Sequence, residues 1–131
     1  MIELILPWPP TVNHYKKVGA LITTKKGKLY QKRVNTNETK LFYYQVWLNI
    51  KAWIAKNRMK TPLDSMISME LYLYPPDKRK RDIDNVVKPM LDSLVKGGLI
   101  QDDSQINRLL IVRCDIVKQG QILVVLTETK G

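Results

Sequence analysis

Residues 79–103 read RKRDIDNVVKPMLDSLVKGGLIQDD. Two acids stand before an apolar stretch and two after it, in a chain that is otherwise basic. The sequence carries 22 Lys and Arg against 12 Asp and Glu, a formal net charge of +10, yet Asp82, Asp84, Asp92, Asp102 and Asp103 share this one segment. Within it, Val86, Val87, Met90, Leu91, Leu94 and Val95 recur at helical spacing, which predicts a helix over 86–96 beginning at Asn85 or Val86. Pro89 is compatible with a helix only close to its start, and Gly97-Gly98 is a stop signal.

The flanks of this helix predict strands. Upstream, Ile67, Met69, Leu71 and Leu73 alternate with other residues until Pro75-Pro76. Downstream, 106–117 and 121–128 read as two strands turning at Gln119-Gly120, expected to form an antiparallel pair. Towards the N-terminus, 2–6 (IELIL) is a short strand stopped by PWPP, and 19–33 is a basic hairpin turning at Lys26-Gly27. A longer helix starts at Asn35 or Thr36, with Thr36 as N-cap, carries Leu41, Tyr44, Val46, Trp47, Ile50, Trp53 and Ile54, and ends near Asn57. The order βββαβαββ implies a single α+β domain over residues 1–131, a mixed sheet with two helices.

Composition narrows the function classes. A hydrophobic fraction of 44% excludes a disordered chain, and no apolar run approaches the roughly 20 residues that span a membrane. Glu3 and Pro7 interrupt the N-terminal apolar residues, so they do not read as a signal peptide. The single cysteine, Cys114, lies in an apolar run and forms no internal disulfide, which fits a reducing cytoplasm. The positive charge points to a polyanionic partner, most often nucleic acid.

The carboxylates carry the chemical signal. If Asp82-Ile83-Asp84 is extended, both acids point to one side and Ile83 turns inward. The chain returns as LIQDD, so Asp102 and Asp103 approach that region if the next strand runs alongside the Asp82 segment. Carboxylates converging without histidines suit a hard cation such as Mg²⁺, which activates water and neutralises charge on a phosphodiester under attack. His14, the one histidine, is not needed for this. The same acids also fit a plainer role, with Asp82 or Asp84 capping the helix and Asp102-Asp103 forming a turn. Lys78-Arg79-Lys80-Arg81 directly precedes Asp82, and such cations bring phosphate to a metal or merely offset the acids. Lys88 either forms a surface ion pair with Asp84 or contacts the scissile phosphate. Asp92 reads as a solvated residue on the polar helix face.

The segments LPWPPTVNHY, RDIDNVVKPMLDSL and GLIQDDSQI together resemble the RusA family of Holliday-junction resolvases, in order and spacing, over residues 4–18 and 75–128. The resemblance implies a small homodimeric endonuclease that binds branched DNA at four-way junctions and cuts two strands of like polarity with Mg²⁺ or Mn²⁺. It implies catalytic and metal-binding roles for Asp82, Asp84 and Asp103, a catalytic role for Lys88, and supporting roles for Asn85 and Asp102. Asn13 and Tyr15 match its N-terminal motif. Lys16, Lys17, Lys78, Arg79, Lys80 and Arg81 are the expected DNA-binding cations. Two alternatives stand beside this: a nuclease for flaps and forks, and a non-catalytic basic DNA-binding module.

Overall fold

The computed structural model describes residues 1–10, 16–23 and 29–129, with backbone alone for 16–23 and 29–35. Its central sheet has four strands in the order β1-β6-β4-β5, where β1 is Ile2–Pro7, β4 Met66–Tyr74, β5 Ile106–Arg113 and β6 Gln121–Thr129. A separate antiparallel pair joins β2 (Lys16–Thr23) to β3 (Leu29–Asn35). That is the expected basic hairpin; its turn at Lys26-Gly27 lies outside the described residues, as do Asn13, His14 and Tyr15.

Strand β4 is central because its alternation gives it a complete apolar face. Ile67, Met69, Leu71 and Leu73 are all buried. On one side β4 pairs with β6 antiparallel; on the other it pairs with β5 parallel. A parallel pair cannot be closed by a tight turn and needs a crossover. The segment quoted above is that crossover.

The expected β5–β6 hairpin does not form. The backbone N–H of Cys114 donates to the carbonyl of Leu73 at 2.7 Å, and that of Val117 to the carbonyl of Pro75 at 3.0 Å. These bonds carry the chain along the tail of β4 before the turn at Gly120, so β6 lands on the far side of β4, between it and β1. A turn signal between two apolar runs sets a reversal of direction, whereas pairing goes to whichever edge is open.

The first helix, α1 (Asn37–Asn57), starts as its sequence predicts: Thr36 accepts from the backbone N–H of Thr39 at 3.2 Å. Thr39, Phe42, Val46 and Ile50 form its buried stripe, while Leu41, Tyr44, Trp47 and Leu48 stay exposed. The second helix, α2 (Val87–Lys96), buries Pro89, Met90, Ser93 and Leu94. It ends where Gly98 adopts φ +82°, a left-handed conformation that glycine reaches without penalty. Gly97 lets α1 approach: a Cβ there would clash with Cδ1 of Ile50. Met90, Leu94, Leu99 and Ile100 join Phe42, Val46 and Ile50 against the sheet residues Leu4, Leu6, Leu71 and Val124 in one apolar core.

Candidate active site

The Asp82 end of the crossover is not extended throughout. Asp82 itself has extended backbone (φ −77°, ψ 137°), but Ile83–Val86 form a 3₁₀ turn that feeds α2. Asp84 therefore sits in the turn, and Ile83, expected to point inward, is 39% exposed. The apolar demand is met one turn later by Val86, which is buried, so Ile83 is not drawn in. Asp82 caps nothing: its side chain makes no hydrogen bond to the turn that follows. Helix capping is thus removed as the reason for Asp82. Asn85 is exposed, with its backbone N–H bonded to the carbonyl of Asp82 at 3.2 Å.

At the other acidic pair the two residues divide. Asp102 is the N-cap of a second 3₁₀ turn, Asp103–Gln105, and forms a capping box with Gln105. Its carboxylate accepts from the Ser104 hydroxyl and from the Ser104 backbone N–H at 3.1 Å, and these bonds hold its pKa below the ordinary value of 3.8. Asp102 is therefore spent on the local fold. Asp103 faces Lys88, whose Nζ stands 3.8 Å from Oδ2.

Lys88 does not pair with Asp84. Its nearer partner is Asp92, at 2.9 Å one helical turn on, and Asp92 more than Asp103 raises the lysine's pKa. Asp92 is thus no solvated bystander; its side chain is only 22% exposed and it aims Lys88 at the 102–103 loop.

Gln105 is the residue that the sequence reading missed. It is buried, and its amide Nε2 donates to the carbonyls of Leu63 (2.8 Å) and Ser65 (2.9 Å). Its Oε1 accepts from the backbone N–H groups of Gln101 (2.7 Å) and Asp102 (2.8 Å). Four bonds from one side chain fix the loop carrying Asp103 to the segment entering β4. The available signal was the D-x-x-Q spacing of a capping box, which shows only once the strand boundary at Ile106 is known.

The basic run also divides. Lys78, Arg79 and Lys80 are exposed, but Arg81 is not available to DNA in the same way. It pairs with Asp77 at 2.8 Å, lies 5.8 Å over the ring of Trp8, and its carbonyl accepts from Arg113 at 2.6 Å. The backbone N–H of Arg79 also donates to Asp77 (2.9 Å), and the two arginines lower the Asp77 pKa. Lys16 and Lys17 lie on β2, where side chains are outside the described residues.

The acids do not meet in one close group. Among the described residues no set of three or more His, Cys, Asp or Glu stands near enough to hold a metal ion. Topology is the reason. Because β5 runs parallel to β4, the Asp82 segment meets the Arg113 end of β5, and Asp103 precedes the Ile106 end. In donor chemistry, however, Asp82, Asp84 and Asp103 fit a hard divalent cation: all are carboxylates, and the Asp82 oxygens make no capping bond.

The family model for endodeoxyribonuclease RusA matches residues 7–126. The chain belongs to the RusA family. It is 29% identical over 131 residues to a crossover junction endodeoxyribonuclease of Enterobacteria phage HK97, covering 98% of this chain and 96% of the relative. The corresponding Escherichia coli K12 protein is 29% identical over 129 residues, covering 96% and 93%. That of Enterobacteria phage 82 is 26% identical over 128 residues with the same coverage. The RusA match embraces both acidic pairs, Lys88, all of β4 and β5 and most of β6, but only Pro7 of β1. Among the described residues no helix is long and apolar enough to cross a membrane.

Proposed function

We propose that this chain is a structure-selective endodeoxyribonuclease that binds four-way DNA junctions and resolves them by paired, metal-dependent phosphodiester hydrolysis. Membership of the RusA family supports the reaction class, and the relatives named above are crossover junction endodeoxyribonucleases. The observation that carries the site assignment is the division of labour among the acids. Asp102 is consumed by a capping box and Asp92 by Lys88, whereas Asp82 is released from capping. A DNA-binding module without catalysis has no use for such exposed carboxylates beside its basic segment.

Asp82, Asp84 and Asp103 are assigned to Mg²⁺ or Mn²⁺ by family and donor chemistry, and holding one ion would require Asp103 to close on the Asp82 turn, from which it stands apart here. Such a cation, when bound, supplies an activated water and neutralises charge on the phosphodiester. Lys78, Arg79 and Lys80 attract the backbone phosphates and hold the strand over the Asp82 turn. Lys88 keeps Asp103 oriented and presents its ammonium to a non-bridging phosphate oxygen. Asn85, exposed in the turn beside Asp84, supports the same carboxylates. One chain carries one such set, and resolution needs two nicks, so the active form is a homodimer in which a two-fold axis supplies the second set.

Cleavage of four-way junctions, flaps and plain duplex, compared side by side with and without Mg²⁺, tests this reading. Junctions should be cut in preference, and only with the metal. Equal cutting of flaps and forks would assign the broader branched-DNA activity instead. Asp84→Asn should abolish cutting while junction binding stays or tightens, because a ligand is lost along with a negative charge near phosphate. Normal cutting by Asp84→Asn would remove the site assignment. A mixed dimer of one unaltered and one Asp82→Asn chain should nick one strand only.

A further inference from the structure

Beside Asp82 the structure holds a cavity of about 320 Å³ that the reaction as described does not use. Its lining combines apolar residues, among them Trp8, Leu73, Ile83 and Ile116, with charged ones that include Asp82. Lys78, Arg79 and Arg113 line it as well. We propose that this cavity takes one unstacked nucleobase of the strand being cut, next to the scissile phosphate, and so sets the nucleotide preference of cleavage. The proposal rests on the nuclease reading above and extends it to specificity.

Three observations favour a base as occupant. The first is chemistry. A nucleobase has apolar faces and a polar edge, and proteins hold extruded bases between aromatic or aliphatic walls with donors at the margin. Here Ile83 and Ile116, at the mouth, leave 39% and 47% of their surface exposed, a cost in water that a stacked base would remove. The second is charge. The cations lining the cavity, in a chain of net charge +10, attract a nucleic acid strand. The third is position: the cavity shares Asp82 with the proposed cutting site, so a strand crossing that carboxylate reaches the cavity with its adjacent nucleotide.

The cavity is also built in advance. Arg81 is clamped between Asp77 and the Trp8 ring, Arg113 ties the Arg81 carbonyl to the end of β5, and the Val117–Pro75 bond fixes the opposite wall. Its volume lies at the small end of the range of roughly 300–1,000 Å³ typical of ligand pockets, which suits a single base better than a larger group. Donors dominate its charged lining, since Asp77 is already engaged by Arg79 and Arg81.

The test is a four-way junction whose branch point migrates through several nucleotides, so that cut positions compete in one reaction. Preference is read as the ratio between sites, which removes any change in total rate. Ile116→Trp fills the mouth from an exposed position and should flatten the ratio by about tenfold, the usual scale for losing one base reading. An abasic nucleotide at the favoured position should bring the unaltered protein to the same flattened ratio. An unchanged ratio in Ile116→Trp, or indifference to the abasic nucleotide, overturns the proposal while leaving the nuclease reading in place. So does cutting without any preference by the unaltered protein. A shift of Ile116→Trp from dimer to monomer in sedimentation would assign the cavity to a partner chain and equally overturn it. A chain that cuts no junction at all removes the nuclease reading itself, and the cavity's role falls with it.

Discussion

Replacing Gln105 by Met removes a side chain of similar length whose amide makes four hydrogen bonds, at 2.7, 2.8, 2.8 and 2.9 Å. Each bond contributes about 0.5–1.5 kcal/mol net, and an apolar replacement leaves the backbone partners unpaired. Three of the four bonds are only partly buried, with access to water after the change, so the loss should be about 3 kcal/mol rather than the largest sum. For a chain of this length that corresponds to a fall in Tm of roughly 10 °C. Thermal and urea unfolding followed by circular dichroism measure it, and junction cleavage is compared at 25 °C, where the variant remains folded. Because the lost bonds fix the loop bearing Asp103, cleavage should fall well beyond the unfolded fraction. Gln105→Glu separates the causes: it retains the two accepted bonds but cannot donate to the carbonyls of Leu63 and Ser65. A Tm within about 3 °C of the unaltered protein for Gln105→Met would refute this account of the loop.

Gly97→Ala should cost about 1–3 kcal/mol by forcing Ile50 aside, and Ile50→Val, which deletes the clashing methyl, should recover part of that loss in the double variant; simple additivity in urea titrations would exclude the contact. Asp102 has a folded-state pKa below 3.8, so its contribution is complete above pH 3.8 and disappears as pH falls through the lower folded value. The stability gap between the unaltered protein and Asp102→Ala should therefore be constant near neutrality and close in acid, and a gap independent of pH would contradict the capping role. Arg79→Ala with Lys80→Ala should reduce the slope of log affinity against log salt by about 1.8, whereas Arg81→Ala, bound to Asp77 and Trp8, should chiefly lower stability. An unchanged slope in the double variant would show that Arg79 and Lys80 do not contact phosphate.

The elements most legible in the sequence are those whose signals are local. Thr36 caps α1 and Gly98 ends α2 because a hydroxyl and a missing Cβ act within one turn of chain. The alternation in β4 was legible for the same reason. What local signals do not contain is strand partnership. The run from Ile106 onward and the run from Gln121 are joined by a turn, yet each pairs with β4 on opposite sides. The decision is made by the bonds of Cys114 and Val117 to the tail of β4, contacts some 40 residues away in sequence. The two stripes of α1 show a similar limit, since the apolar residues Leu41, Tyr44 and Trp47 satisfy helical spacing as well as the buried set does.

At the candidate site, the residue types were legible locally, while their roles came from the family resemblance alone. Five acids in one segment announce chemistry, but only the family resemblance sets Asp103 apart from Asp102, and nothing local marks Asp92 as more than a surface charge. The distinction depends on which carboxylates the fold has already used. Ser104 and Gln105 engage Asp102, and Lys88 engages Asp92, because a 3₁₀ turn and a helix place those partners within reach. The Asp82 side chain makes no such bond to its own turn, and Lys88 reaches across to Asp103 as well as along its helix. A carboxylate satisfied by its own fold gains little from a cation, while one left facing solvent beside a basic segment keeps its full affinity for one. Subtracting the acids most firmly engaged by their own fold leaves Asp82, Asp84 and Asp103 as the ligands we propose within this segment, Asp103 with the looser of the two Lys88 contacts.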